Sequence, residues 1–156
     1  MHLSNRRQLG YDAVVEHEKL ADGDRYTTSR GVMLIRRPAR HVEVISGHGF
    51  AEEAFLDPIL ASRDAIVLEC GEIALFDDLE RVTGYDTAVR VRLTAWGREH
   101  RSHIVAHHIL TRSKLVAMGV SVASLALGGA IEAHSRRDSF DGALREQIQR
   151  GASPVA

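Results

Sequence analysis

Residues 64–78 read DAIVLECGEIALFDD, and this stretch decides how the rest of the chain is interpreted. Its first half is a nearly continuous apolar run, which is typical of a strand covered on both faces of a sheet. We therefore expect a buried central strand over residues 64–70. A loop over residues 71–84 follows it and carries the acidic pair Asp77 and Asp78.

Predicted strands and helices alternate on both sides of this stretch. Residues 31–36 and 41–46 predict two strands, the second with apolar residues at every other position. Residues 50–61 predict a helix that Pro58 kinks or divides. Further along, the pattern predicts a helix over residues 83–101 capped by Thr83, a strand over 104–110, a helix over 113–127 capped by Ser113, a short strand over 131–134 and a helix over 135–149.

This alternation predicts one α/β domain over residues 31–149. Its sheet is mainly parallel, with four to five strands, an antiparallel N-terminal edge, right-handed crossovers and about four helices. Residues 1–30 are interpreted as an N-terminal extension, either a short helix or an extra hairpin that turns at Asp22-Gly23. Residues 150–156 are expected to form a frayed tail.

Composition argues against several classes of protein. Twenty basic and twenty-one acidic side chains leave a formal charge of −1, which argues against a dedicated nucleic-acid surface. The single cysteine, Cys70, excludes an internal disulfide and is interpreted as a small buried apolar residue. Residues 115–131 carry no charge but contain glycine and serine, which favours a buried helix over a membrane span. The first residues lack the apolar core of a signal peptide, so we expect a cytoplasmic protein.

The order of elements and the stretch from Asp64 to Asp78 resemble a STAS domain, the fold of anti-sigma-factor antagonists. They are similar, more loosely, to the fold of SEC14-type lipid-binding proteins. In STAS domains a loop with an Asp-Ser pair follows the central strand and opens the next helix, and the serine or threonine there is phosphorylated in the antagonists. Asp77 and Asp78 occupy that place in the predicted layout. The resemblance therefore implies a regulatory module that lacks the usual phosphorylatable serine, and Thr83 is interpreted as a helix cap.

Nine histidines raise the question of a metal site. His107 and His108 are neighbours in a predicted strand and point to opposite faces, and His103 lies about 13 Å from His107 along it. The sequence contains no Cys-x-x-Cys, His-Glu-x-x-His or Gly-x-Ser-x-Gly motif. We therefore expect no metal, cofactor or catalytic residue and interpret the histidines as hydrogen-bonded structural residues. A small enzyme that uses His48 or a histidine of residues 100–108 is the weakest hypothesis.

The predicted helix over residues 113–127 has two apolar stripes, whereas a helix lying on a sheet needs to bury only one. One stripe consists of Leu115, Met118, Val122 and Leu125, and the other of Val116, Val120, Ala123 and Leu127. The helix is either unusually deep in the core or covered by another chain. The leading hypothesis is a non-enzymatic regulatory or scaffold module. Its predicted partner-binding or self-association residues are Asp77, Asp78, Val116, Val120, Ala123 and Leu127. The alternative is a domain that binds a lipid or a small hydrophobic ligand.

Overall fold

The computed structural model describes residues 14–152, without the side chain of the last one. The strands are β1 (Glu16–Lys19), β2 (Gly23–Thr27), β3 (Gly31–Ala39), β4 (Val42–Ala51), β5 (Ile73–Tyr85), β6 (Ile104–Thr111) and β7 (Glu132–His134), and the helices are α1 (Leu56–Cys70), α2 (Thr87–Glu99), α3 (Lys114–Ala126) and α4 (Arg137–Ala152). The strands form one sheet in chain order, antiparallel from β1 to β4 and parallel from β4 to β7. The predicted mixed α/β fold is confirmed, but the described sheet has seven strands instead of four to five, and three of its six pairings are antiparallel.

The helices cover the two faces of the sheet unequally. Leu75 and Ile109 belong to clusters with α1, α2 and α3, whereas Phe76 and Leu110 pack with Phe140 of α4. Successive strand residues point to opposite faces, so α4 lies on the face opposite the other three helices. Right-handed crossovers between sequential parallel strands account for three helices on one face.

The strand predicted over residues 64–70 is wrong, because these residues are the second half of α1. Ile66 is 1% exposed and Leu68 is 89% exposed, a contrast that a helix with one buried face produces. Pro58 falls in the first turn, where no intrahelical hydrogen bond is lost, so it does not divide the helix. Gly71 ends the helix in the left-handed conformation, with φ 73°.

The loop predicted over residues 71–84 is also wrong, because β5 runs through it and pairs with β4 and β6. Thr83 is exposed within this strand and caps no helix. Helix α2 starts later, at Thr87, with Asp86 as its N-cap residue. Residues 50 and 51 likewise extend β4 instead of starting a helix. The acidic residues between positions 71 and 84 suggested a loop. In the structure Asp77 and Asp78 are tolerated in a strand because arginine side chains of two helices pair with them.

The second half of the chain follows its local signals closely. The side chain of Ser113 accepts a hydrogen bond from the backbone N–H of Val116 at 3.4 Å, as expected for the cap of α3. Gly128 follows that helix with φ 68°.

Near the N-terminus, β1 and β2 form a hairpin through residues 20–23. None of the described helices has the length and hydropathy needed to cross a bilayer.

Candidate binding cavity

An apolar cavity of about 140 Å³ lies between the sheet and helices α1, α2 and α3. Strands β4 and β5 contribute Ile45, Leu79 and Val82, while α1 and α2 contribute Leu56, Ile59 and Leu93. Helix α3 closes another side. The cavity remains because the apolar faces of the sheet and the helices meet without filling the space between them.

Five of the six residues predicted as a partner surface line this cavity, namely Asp77, Val116, Val120, Ala123 and Leu127. Among them, Val116, Val120 and Leu127 are at most 8% exposed. The other stripe of α3 faces outward, with Leu115, Met118, Val122 and Leu125 exposed by 57%, 67%, 51% and 82%. Helix α3 therefore separates the cavity from an apolar strip on the surface.

A buried ion-pair network forms the polar end of the cavity wall. Arg63 of α1 donates from Nε to Glu43 Oε1 at 2.9 Å and from Nη2 to Asp77 Oδ1 at 3.0 Å. His107 Nε2 lies 2.9 Å from Asp77 Oδ2, and Ser62 donates to Glu43 Oε2 at 2.6 Å. Two carboxyl groups thus share one guanidinium, whose side chain is 2% exposed.

Burial and ion pairing act differently on the two carboxyl groups. Burial raises the pKa of Glu43, and the attraction of Arg63 with the Ser62 hydrogen bond offsets only part of that effect. Burial also opposes ionisation of Asp77, but Arg63 and His107 outweigh it and hold the pKa of Asp77 below its usual value. Asp77 is therefore the principal counter-charge of Arg63.

Asp78 points away from Asp77, to the opposite face of the sheet. Arg137 of α4 binds it with two hydrogen bonds, from Nη1 to Oδ2 at 2.7 Å and from Nη2 to Oδ1 at 3.0 Å. The two acidic residues are thus neighbours in β5 without forming a joint site. Their predicted place in a loop is wrong, because both lie in a strand that directs adjacent side chains to opposite faces; their role in partner binding stays a prediction.

Glu52 belongs to the cavity lining, and one of its carboxyl oxygens has no hydrogen-bond partner. Within the described residues, Oε2 of Glu52 is the buried side-chain polar atom left unsatisfied. Its other oxygen lies 4.0 Å from Arg30 Nη1, which is beyond hydrogen-bond distance. Since a buried unpaired acceptor costs roughly 1–3 kcal/mol, a donor at this position would stabilise the protein.

Helix α2, which follows β5, has Asp86 as its N-cap residue and begins at Thr87. Asp86 Oδ2 accepts a hydrogen bond of 2.8 Å from the backbone N–H of Glu53, and Thr87 is exposed. The residues that sequence reasoning missed are Glu43, Glu52 and Arg63. Arg63 carried a signal, since a basic residue on the apolar face of a helix needs a buried counter-charge.

The sheet order, the three crossover helices on one face and the helix on the other define a STAS-like fold. A solved structure with this fold is that of the anti-sigma factor antagonist SpoIIAA in its unphosphorylated form. It matches with a TM-score of 0.55 and 15% sequence identity over 72% of this chain and 96% of that chain. No protein-family model and no curated protein matches the sequence. The likeness confirms the predicted fold.

Proposed function

We propose that the protein is a non-enzymatic binding module of STAS type that holds a small, mainly apolar ligand in the cavity beneath α3. The observation that carries this proposal is the apolar cavity of about 140 Å³, whose lining includes Glu52, a residue with one unpaired carboxyl oxygen. Ligand sites are typically apolar pockets with a few polar groups that orient the ligand. The geometry thus favours the small-ligand alternative over the protein-binding hypothesis that led from sequence.

The cavity volume sets the size of the ligand. An engineered apolar cavity of about 150 Å³ in another protein stays dry and binds benzene, so a space of this size accepts one ring or a short chain. In this proposal the Glu52 carboxylate turns its unpaired oxygen to the ligand, so a ligand with one hydroxyl or amino group is favoured because such a group donates the missing hydrogen bond.

The non-enzymatic part of the proposal is supported by the state of the polar groups at the cavity. Arg63, Asp77 and His107 each bind another member of the same network. A general base must be able to reach a proton on the substrate, whereas these groups are directed at one another. We therefore assign the network to stability and to the shape of the cavity.

Native mass spectrometry and calorimetric titration test the proposal, with benzyl alcohol and toluene as probes. We expect a ligand of this class to co-purify, or benzyl alcohol to bind the ligand-free protein. Ala123→Leu should abolish binding, because the larger side chain occupies the cavity. The matched control is Ala126→Leu, since Ala126 lies on the same helix, is exposed and does not line the cavity.

The contribution of Glu52 is tested with Glu52→Leu against the control Glu53→Leu, whose side chain is exposed. Loss of one acceptor should reduce the preference for benzyl alcohol over toluene by roughly two- to twelvefold, from about 0.5–1.5 kcal/mol per hydrogen bond. The proposal fails if neither probe binds and nothing co-purifies, or if Ala123→Leu binds as well as the wild type.

The second candidate function is contact with another protein chain through the outer face of α3. It is favoured by the exposed strip of Leu115, Met118, Val122 and Leu125, since contiguous apolar surface commonly marks an interaction site. Light scattering tests self-association first. Val122→Lys should lower the mass if this strip joins two copies, whereas the control Val91→Lys, on α2 and equally exposed, should not. Equal masses for all three proteins would contradict self-association through this strip.

We propose Thr87 as the position at which phosphorylation would regulate the module. The expectation that the usual phosphorylatable residue is missing rested on Asp77 and Asp78, which lie inside β5. Thr87 presents an exposed hydroxyl in the first turn of α2, where the helix dipole favours added negative charge. Phosphopeptide mapping of the protein from its native cells should detect phosphate on Thr87. A peptide that is always unmodified would support the switchless module expected from sequence.

A further inference from the structure

A second cluster of polar side chains lies on the other face of the sheet, between β6 and β7. The parallel register pairs His108 with Glu132 and Leu110 with His134. Residues two apart in a strand share a face, and neighbouring strands lie about 4.8 Å apart. The pairing therefore brings two imidazoles and one carboxylate together from positions far apart in the sequence.

The ligand atoms of this cluster all lie within 4.8 Å of one another. His108 Nδ1 is 2.9 Å from His134 Nε2, and the Glu132 oxygens are 3.5 Å from the first nitrogen and 3.9 Å from the second. Tetrahedral zinc with bonds of about 2.0–2.1 Å holds its ligand atoms roughly 3.3–3.4 Å apart. Side-chain shifts of about half an ångström would thus place the three atoms on such a tetrahedron.

The surroundings hold both imidazoles in place. His134 Nδ1 is hydrogen-bonded to Ser139 Oγ at the start of α4, leaving Nε2 directed at the cluster. Phe76 stacks on His108 with ring centroids 4.8 Å apart, and Phe140 meets His134 edge-on at 5.8 Å. An outer hydrogen bond that orients a histidine ligand is a common feature of metal sites.

We propose that His108, Glu132 and His134 form a binding site for a divalent transition-metal ion, with zinc as the expected ion. Two imidazoles and a carboxylate match the ligand types zinc prefers, and a fourth position stays open to water. Without metal, one proton is shared between the two facing nitrogens. With metal, His108 carries its proton on Nε2, and both facing nitrogens donate their lone pairs to the ion. The ion would then tie the short strand β7 to β6.

Competition titration of the full chain with Zn²⁺ against a chromophoric chelator tests the site. We expect one tight site in the wild type and loss of at least about a hundredfold in affinity for Glu132→Gln, since removal of an outer-shell partner alone costs about 10- to 100-fold. Ser139→Ala should lose about 10- to 100-fold. Glu132 is 68% exposed, so its substitution leaves the core intact. The control Glu72→Gln changes an exposed carboxylate elsewhere.

Two further measurements keep the result independent of folding. Zn²⁺ should raise the melting temperature of the wild type and of Glu72→Gln but not that of Glu132→Gln, because an ion bound only by the native state stabilises it. Co²⁺ should give a visible spectrum typical of low coordination number, and His134→Gln should remove that spectrum. The proposal is overturned if the wild type binds Zn²⁺ no more tightly than Glu132→Gln, or if the tight site survives in His134→Gln.

Discussion

Replacement of Arg63 by methionine removes the only guanidinium between two buried carboxyl groups of the described fold. Its side chain is 2% exposed, and those of Glu43 and Asp77 are 1% and 10% exposed. Methionine keeps much of the aliphatic volume in the core but supplies no charge and no hydrogen-bond donor. The change therefore tests whether the ion pairs, and not the packing of the arginine stem, hold α1 against the sheet.

The expected loss is large because two interactions disappear and two acids are left buried. Removal of one partner of a buried ion pair typically destabilises a protein by about 3–5 kcal/mol. Total stabilities are about 5–15 kcal/mol, so Arg63→Met should fold but with a small margin. At about 2–4 °C per kcal/mol for a chain of this size, the melting temperature should fall by about 6–20 °C.

Urea unfolding followed by circular dichroism measures this loss, with Arg92→Met as the control. Arg92 makes an ion pair of 3.7 Å with Asp57 at the surface, where both side chains are well exposed, so its loss should cost about 0–1 kcal/mol. The penalty of Arg63→Met should also shrink towards low pH, because protonation neutralises the stranded carboxyl groups. A penalty below about 1 kcal/mol at neutral pH, equal to that of the control, would refute the reasoning.

Three further outcomes are expected. The pKa of Asp77 is lowered in the folded protein, so its ionised form stabilises the fold at a pH above the ordinary aspartate pKa. This contribution is lost as the pH falls through the folded-state pKa. The difference in unfolding free energy between wild type and Asp77→Asn, measured by urea titration, should therefore narrow from neutral pH to about pH 3. Ser113→Ala should cost about 0.5–2 kcal/mol in the same assay, because the N–H of Val116 loses its acceptor; no measurable change would argue against the cap. Gly119→Ala should destabilise by about 1–3 kcal/mol, because the new Cβ would lie 2.2 Å from the hydroxyl oxygen of Tyr85, and the loss should shrink in a Tyr85→Ala background.

Local patterns in the sequence were sufficient where the signals lie within a few residues of each other. Helix α3 was predicted because Ser113, an apolar repeat and Gly128 all fall within it or next to it. Strand β6 was predicted from a short apolar run with charged residues before it. Both elements were found within two residues of their predicted bounds, and the alternation of elements was enough to predict the class of fold.

The secondary structure of two apolar segments was predicted wrongly because their local composition fits more than one structure. Residues 64–70 are rich in apolar residues, yet they continue a helix whose buried side includes Ile59, Arg63 and Ile66. Ile73 begins the true central strand, whose Asp77 looked like a loop residue. An aspartate is tolerated inside a sheet only when a counter-charge reaches it, and Arg63 is contributed by a different element.

Periodicity and helix caps within single elements were enough to predict the α/β class, the approximate extent of the C-terminal elements and the two apolar faces of α3. Three features became visible only in the folded chain. They are the face of α3 that lines a cavity, the opposite directions of Asp77 and Asp78, and the contact of His108 with His134 across 26 residues of chain. Those features depend on strand register and on which elements share a face of the sheet. Register brings together residues that are distant in the chain, so no local pattern records it.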